Sequence, residues 1–153
     1  MPTTFLALAI GFTGLYAGFM LIFLTGIMPA LARLTDGEFV TVMRRINEYV
    51  PKAVFMVVFL GLVVFPALAL AVPVEGRSDT QFWLVLAGLV CAVLNHLVTM
   101  GGNVPLNNAL AASEGQPASA VRAAFEARWN RLHLVRTVLV TAAFGLLIAA
   151  ALT

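Results

Sequence analysis

Residues 51–73 read PKAVFMVVFLGLVVFPALALAVP, a run whose one charged side chain, Lys52, stands at its start. At 1.5 Å per helical residue, roughly 20 residues cross ~30 Å of hydrocarbon, and this run meets that length alone. Three similar runs flank it: Phe5 to Ala32 before it, then Phe82 to Met100 and Leu132 to Leu152 after it. A backbone in lipid must satisfy its own hydrogen bonds, which leaves helices or closed barrels, and runs without polar alternation are not barrel strands. The expectation is an all-α integral membrane protein, a four-helix bundle forming one domain over residues 1–153, with spans near 5–32, 51–73, 82–100 and 132–152. Composition agrees: 61% hydrophobic and 10% charged residues, with a mean hydropathy of +0.99, leave too little polar surface for a water-exposed chain of this size. Ala30-Leu31-Ala32 resembles a cleavage site, but no Lys or Arg precedes the first run and it is about twice a signal core in length, so it is read as a permanent helix. Cys91 is the only cysteine, so no intrachain disulfide contributes.

Positive charge sets the expected orientation. Arg33, Arg44, Arg45 and Lys52 lie at or beside the first connection, Arg122, Arg128, Arg131 and Arg136 at or beside the third, and only Arg77 in the second. The positive-inside rule then puts connections one and three in the cytoplasm and both termini outside, as in a bacterial inner membrane. A net charge of +2 does not suggest nucleic acid as a partner; the lipid bilayer is the expected one. Both cytoplasmic connections carry apolar residues at helical spacing: Phe39, Val42, Met43 and Ile46 in the first, and Val121, Phe125 and Trp129 in the third. Each predicts an amphipathic helix lying along the membrane surface, giving two interfacial helices. Pro29 follows the first span and Pro105 the third, which suggests a loose repeat.

Small residues indicate packing. Ala7, Gly11, Gly14 and Gly18 recur on one face of the first span and include a GxxxG match, where another backbone can approach closely. Packing within the bundle is the favoured use, and a homo-oligomer through Gly11, Gly14 and Gly18 the alternative. Pro66 predicts a kink in the second span.

Polar groups gather at one end of helices three and four. Asn95, His96, Thr99 and Asn103 lie within or just beyond the third span, while Trp129, His133, Arg136 and Val140 share one face of the fourth by spacings of four, three and four. Polar side chains in hydrocarbon are costly and mark function or interhelical bonding. Asn103-Val104-Pro105-Leu106-Asn107 after a third helix, followed by Trp129-Asn130-Arg131-Leu132-His133-Leu134-Val135-Arg136-Thr137, resembles the anthrone-oxygenase-like membrane family. The resemblance spans the chain in length and helix order, with the NxPxN and W-x-x-x-[N/H]-x-x-R-T segments as its specific parts. It implies oxidation of a small apolar aromatic or phenolic compound by molecular oxygen, with no established organic cofactor. On that reading His133 or His96 is the base, Arg136 steadies an oxyanion, Asn103 and Asn107 donate hydrogen bonds, and Trp129 stacks on the ligand. Structural alternatives are that Asn103 and Asn107 cap a broken helix end, Trp129 anchors at the interface and Arg136 snorkels. Two further classes stay open: a haem or transition-metal bundle ligated by His96 and His133, and a small transporter or structural partner protein.

Overall fold

The computed structural model describes residues 2–153, with side-chain surroundings from residue 4 onward. The described residues are helical apart from short connections, and four of the helices are long and apolar enough to cross a membrane. The protein is an integral membrane protein. We number five helices. Helix α1 runs from Pro2–Ile22 through a π turn at Phe23–Ile27 into Met28–Leu31, and α2 is Asp36–Tyr49. Helix α3 is Ala53–Ala71, α4 is Asp79–Ala111 with a π turn at Thr99–Asn103, and α5 is Ala118–Ala151. Helix α1 pairs with α3 and α4 with α5; α1 also packs on α5, and α3 on α4, which closes the bundle.

Two features differ from the sequence expectation. The third helix does not break after Met100: the NxPxN segment lies inside a continuous helix, because a π turn precedes the proline. A proline ring collides with the carbonyl four residues back, and a widened turn relieves that clash without ending the helix. Pro29 is served in the same way by the π turn at Phe23–Ile27. The second difference is that residues 118–130 are not a separate surface helix. They are the first turns of α5, which extends beyond the bilayer length as one continuous helix. Only the first connection carries a distinct amphipathic helix, α2, and it lies across the bundle end. Phe39, Val40 and Met43 on its apolar face pack with Met28, Leu31, Leu110 and Phe125. Pro66 sits inside α3 without terminating it.

Arginines tie the connections down by hydrogen-bonding carbonyls that helix ends leave free. Arg122 of α5 donates to the carbonyls of Ala32 and Leu34 at the end of α1, at 2.9 and 2.8 Å, and pairs with Asp36 and Glu126. Arg44 of α2 donates to Leu110 O and Ser113 Oγ at the end of α4. Arg77 does the same for α3 at the opposite end, through the carbonyls of Ala69, Leu70 and Val72. Helix α2 begins with a capping box in which Thr35 and Glu38 bond reciprocally. The Thr35 hydroxyl and backbone hold the Glu38 carboxyl below its ordinary value.

Glycines allow the closest helix approaches. A Cβ at Gly61 of α3 would collide with the Phe12 ring, one at Gly14 would fall 2.8 Å from Phe144 of α5, and one at Gly102 2.7 Å from Leu132. Gly11 and Gly18 face open space. The small-residue face of α1 is therefore divided: Gly14 packs inside the bundle, while Gly11 and Gly18 look outward.

Candidate functional site

The polar residues of α4 read the backbone and side chains of α5. Asn95 Nδ2 donates to Arg136 O at 2.8 Å, and Asn103 Nδ2 donates to Trp129 O at 3.3 Å. The indole Nε1–H of Trp129 donates in turn to Asn107 Oδ1 at 2.9 Å. Each bond fixes its amide orientation, since a carbonyl only accepts and an indole only donates. Both asparagines of the NxPxN segment thus clamp the same residue, Trp129. They are one helical turn apart in a continuous helix, and Asn103 makes no side-chain cap bond. The reading of Asn103 as the cap of a broken helix end is therefore corrected to an interhelical clamp. Trp129 itself is buried rather than anchored at an interface.

On α5, Trp129, His133 and Arg136 form one stack. The Trp129 and His133 rings lie 4.8 Å apart and nearly parallel, and the Arg136 guanidinium sits over the indole at 5.1 Å. His133 is 0% exposed. Its Nδ1 receives a hydrogen bond from Arg136 Nε at 3.1 Å, and its Nε2 lies 3.1 Å from Met20 O of α1. Guanidinium can only donate and carbonyl can only accept, so the imidazole is neutral with its proton on Nε2. Both ring nitrogens are engaged by protein groups, and the arrangement suits positioning Arg136 rather than accepting a proton.

Arg136 is 7% exposed and lies within the bundle, yet among the described residues no carboxylate pairs with it. Among the described residues its only hydrogen bond to protein is the one from Nε to His133, and neither terminal nitrogen has a protein acceptor there. It borders a cavity of about 100 Å³ to which all five helices contribute. Asn47, Thr99, Asn103, Asn107 and Trp129 line the same cavity, with apolar walls from Phe19, Phe23 and Phe55. Two amide atoms of this lining are buried without a partner, Asn47 Nδ2 and Asn103 Oδ1. An unpaired cation and an unpaired amide donor on an apolar cavity can bind a flat ligand carrying a negative oxygen, and the free Asn103 Oδ1 can accept from a hydroxyl. The Tyr16 hydroxyl is also buried without a hydrogen-bond partner.

His96 stands apart from this group. Its Nδ1 bonds Ala92 O one turn back at 3.0 Å, and its ring stacks on Phe59 of α3 with centroids 3.8 Å apart. It faces α3, whereas His133 faces α1, because the cluster side of α4 runs through Asn95, Thr99 and Asn103 and His96 lies about 100° around the helix. The two histidines are not presented as facing ligands, and among the described residues no group of three His, Cys, Asp or Glu side chains comes together. Asn47 and Tyr16 were not singled out by sequence reasoning. Asn47 had a legible signal: it falls four residues after Met43, on the buried stripe of an amphipathic helix, where a polar residue is out of place.

Fold and site together define a class: a membrane bundle of four spans that keeps an unpaired cation on a small apolar cavity roofed by an amphipathic helix. The anthrone oxygenase family model matches residues 39–146, more than two thirds of the 153 residues, and the chain belongs to that family. The match takes in Asn47, Asn103, Asn107, Trp129 and Arg136, and leaves out the share of the cavity that α1 supplies. No curated protein and no solved structure matches the chain.

Proposed function

We propose that the protein binds a flat, apolar aromatic compound of the anthrone type as its enolate and presents it to molecular oxygen. The single observation that carries this reading is Arg136, a buried guanidinium on the cavity wall with no carboxylate partner. Burying a charge without a partner is costly, and a site that tolerates the cost retains the charge for something that is not part of the chain. An anthrone supplies a matching oxygen when its ring methylene loses a proton and the negative charge delocalises onto the carbonyl. The electron-rich ring carbon then takes up oxygen and a proton to give a hydroperoxide. Loss of water from that carbon leaves the second carbonyl, so one anthrone and one dioxygen become one anthraquinone and one water. Oxygen is the oxidant and the step requires no organic cofactor.

Arg136 holds the enolate oxygen, Asn47 Nδ2 donates a further hydrogen bond to it, Asn103 Oδ1 is free to accept from a phenolic hydroxyl of the ligand, and Trp129 supports the ring. Neither a carboxylate nor a free imidazole stands among the described lining residues, so ionisation is driven by the charge of Arg136 and the proton leaves to water. His133 becomes the residue that aims Arg136, through Nδ1 on one side and Met20 O on the other. His96, held against Phe59, takes no part in binding. By the positive-inside rule the cavity end faces the cytoplasm of a bacterial cell and both termini face outward. The open Gly11–Gly18 face is where a second copy would associate. The test is oxygen uptake and anthraquinone formation by purified protein supplied with anthrone, with Arg136→Gln alongside. Wild-type uptake above the spontaneous rate, reduced at least about tenfold in the variant, supports the reading. Uptake no faster than in protein-free micelles overturns it.

A further inference from the structure

The cavity is too small for the ligand proposed above. Even a benzene-sized guest occupies a void of roughly 150 Å³, against about 100 Å³ here. A tricyclic ring must therefore displace part of the wall, and part of that wall also borders the outside. Phe19, Val50 and Phe55 line the inner cavity and also an open recess on the outer surface of the bundle. The same three side chains therefore border both spaces. Phe19 of α1 and Phe55 of α3 meet edge to face there, 6.0 Å apart at 82°.

The recess faces lipid rather than water. Phe19 is 41% exposed, and its exposed neighbours Leu15, Ile22, Val54 and Val57 are all apolar. Tyr49 and Lys52 stand at the rim, with the Lys52 amine 4.0 Å above the Tyr49 ring, the pairing expected at the boundary between hydrocarbon and headgroups. Toward water the bundle end is covered by α2, whose Phe39 and Met43 are wholly buried. Among the described residues the connection at 50–52, which includes Pro51, is the only non-helical backbone touching the cavity.

We infer that ligand reaches Arg136 sideways from the bilayer, between α1 and α3, by displacing the Phe19 and Phe55 rings, and that these two residues select for flat apolar compounds dissolved in the membrane. The identity of the ligand rests on the proposed function; the route rests on the wall. Lys52 at the rim and Arg136 within then lie at the two ends of the path, each able to hold a negative oxygen as the rings pass.

The route is tested without assuming what the natural ligand is. Thr99→Cys places a thiol on the buried cavity wall, in a Cys91→Ala background and in lipid nanodiscs. Its rate of modification is compared for N-phenylmaleimide, which partitions into the bilayer, and a quaternary-ammonium methanethiosulfonate, which stays in water. The maleimide should react, and Phe55→Ala should accelerate it about tenfold while Phe55→Trp slows it. The water-confined reagent should be slow in all three. Phe19→Ala gives a second opening variant should Phe55→Ala fail to fold. A water-confined reagent as fast as the maleimide, or maleimide rates within about twofold across the variants, overturns the route. The labelling involves neither an anionic ligand nor oxygen, so failure of the enolate reading and failure of the route give different results.

Discussion

A guanidinium inside a membrane bundle costs free energy unless something offsets it, and a single bond to a neutral imidazole offsets little. Arg136→Gln should therefore lower ligand affinity by roughly 1.5–3 kcal/mol, the worth of charged hydrogen bonds, while leaving the melting temperature in detergent nearly unchanged. A fall in melting temperature with affinity intact would make Arg136 a structural residue. His133→Asn keeps an acceptor for Arg136 and a donor for Met20 O, so the fold should persist. The pH profile of activity should keep its shape, because the imidazole does not take the substrate proton; loss of a limb near neutrality would identify His133 as the base. Asn107→Ala leaves the buried Trp129 indole unpaired and should cost about 1–3 kcal/mol in unfolding measurements. The Trp129-His133-Arg136 face was legible from spacing alone, because helical period fixes which side chains align. Period says nothing about what stands opposite, so the sequence put His96 beside His133 when α4 turns it toward Phe59.

The spans were legible at the scale of elements, because hydrocarbon thickness sets helix length and leaves few alternatives. The course of α4 through Pro105 was not: the π turn that lets the helix continue is a rearrangement of backbone hydrogen bonds that residue types do not announce. The same holds for the first turns of α5, whose amphipathic pattern suits either a separate surface helix or one long helix covered by α2. Glycine use was legible in kind but not in place. Gly61→Leu and Gly14→Leu force a large side chain onto Phe12 and Phe144, and each should lose about 1–3 kcal/mol of stability. Gly11→Leu, facing open space, should be neutral by thermal melting of the monomer. For α2, the carboxyl of Glu38 is held low when folded, so its contribution is complete above the unfolded value and is lost as pH falls through the folded one. Thr35→Ala keeps the backbone bond to Glu38 but loses the hydroxyl, so it should reduce this acid sensitivity and weaken α2 by about 1 kcal/mol, measured by hydrogen exchange along residues 36–49.

For the whole molecule, arginines that read in sequence as orientation signals also hold helix ends together: Arg44 and Arg122 at the cavity end, and Arg77 at the other. The two roles are compatible, and orientation is checked separately. Cysteines at Glu38 and Gln116 should react only with reagents that reach the cytoplasm, and one at Ser78 only from outside; the reverse pattern would move the cavity to the other side of the membrane. The proposed small aromatic ligand was legible only through the resemblance to a family. The cavity itself is assembled by all five helices, and no local stretch contains it. The central claim is that this cavity holds a negative oxygen on Arg136. Its most direct test is equilibrium binding, through Trp129 fluorescence in a Trp83→Phe background, of 2-naphthoate and of the uncharged 2-naphthamide to wild type and Arg136→Gln. The account predicts that wild type prefers the anion by at least about tenfold, or ~1.4 kcal/mol, and that the preference disappears in the variant. Equal binding of both compounds by wild type, or an anion preference that survives in Arg136→Gln, would contradict it.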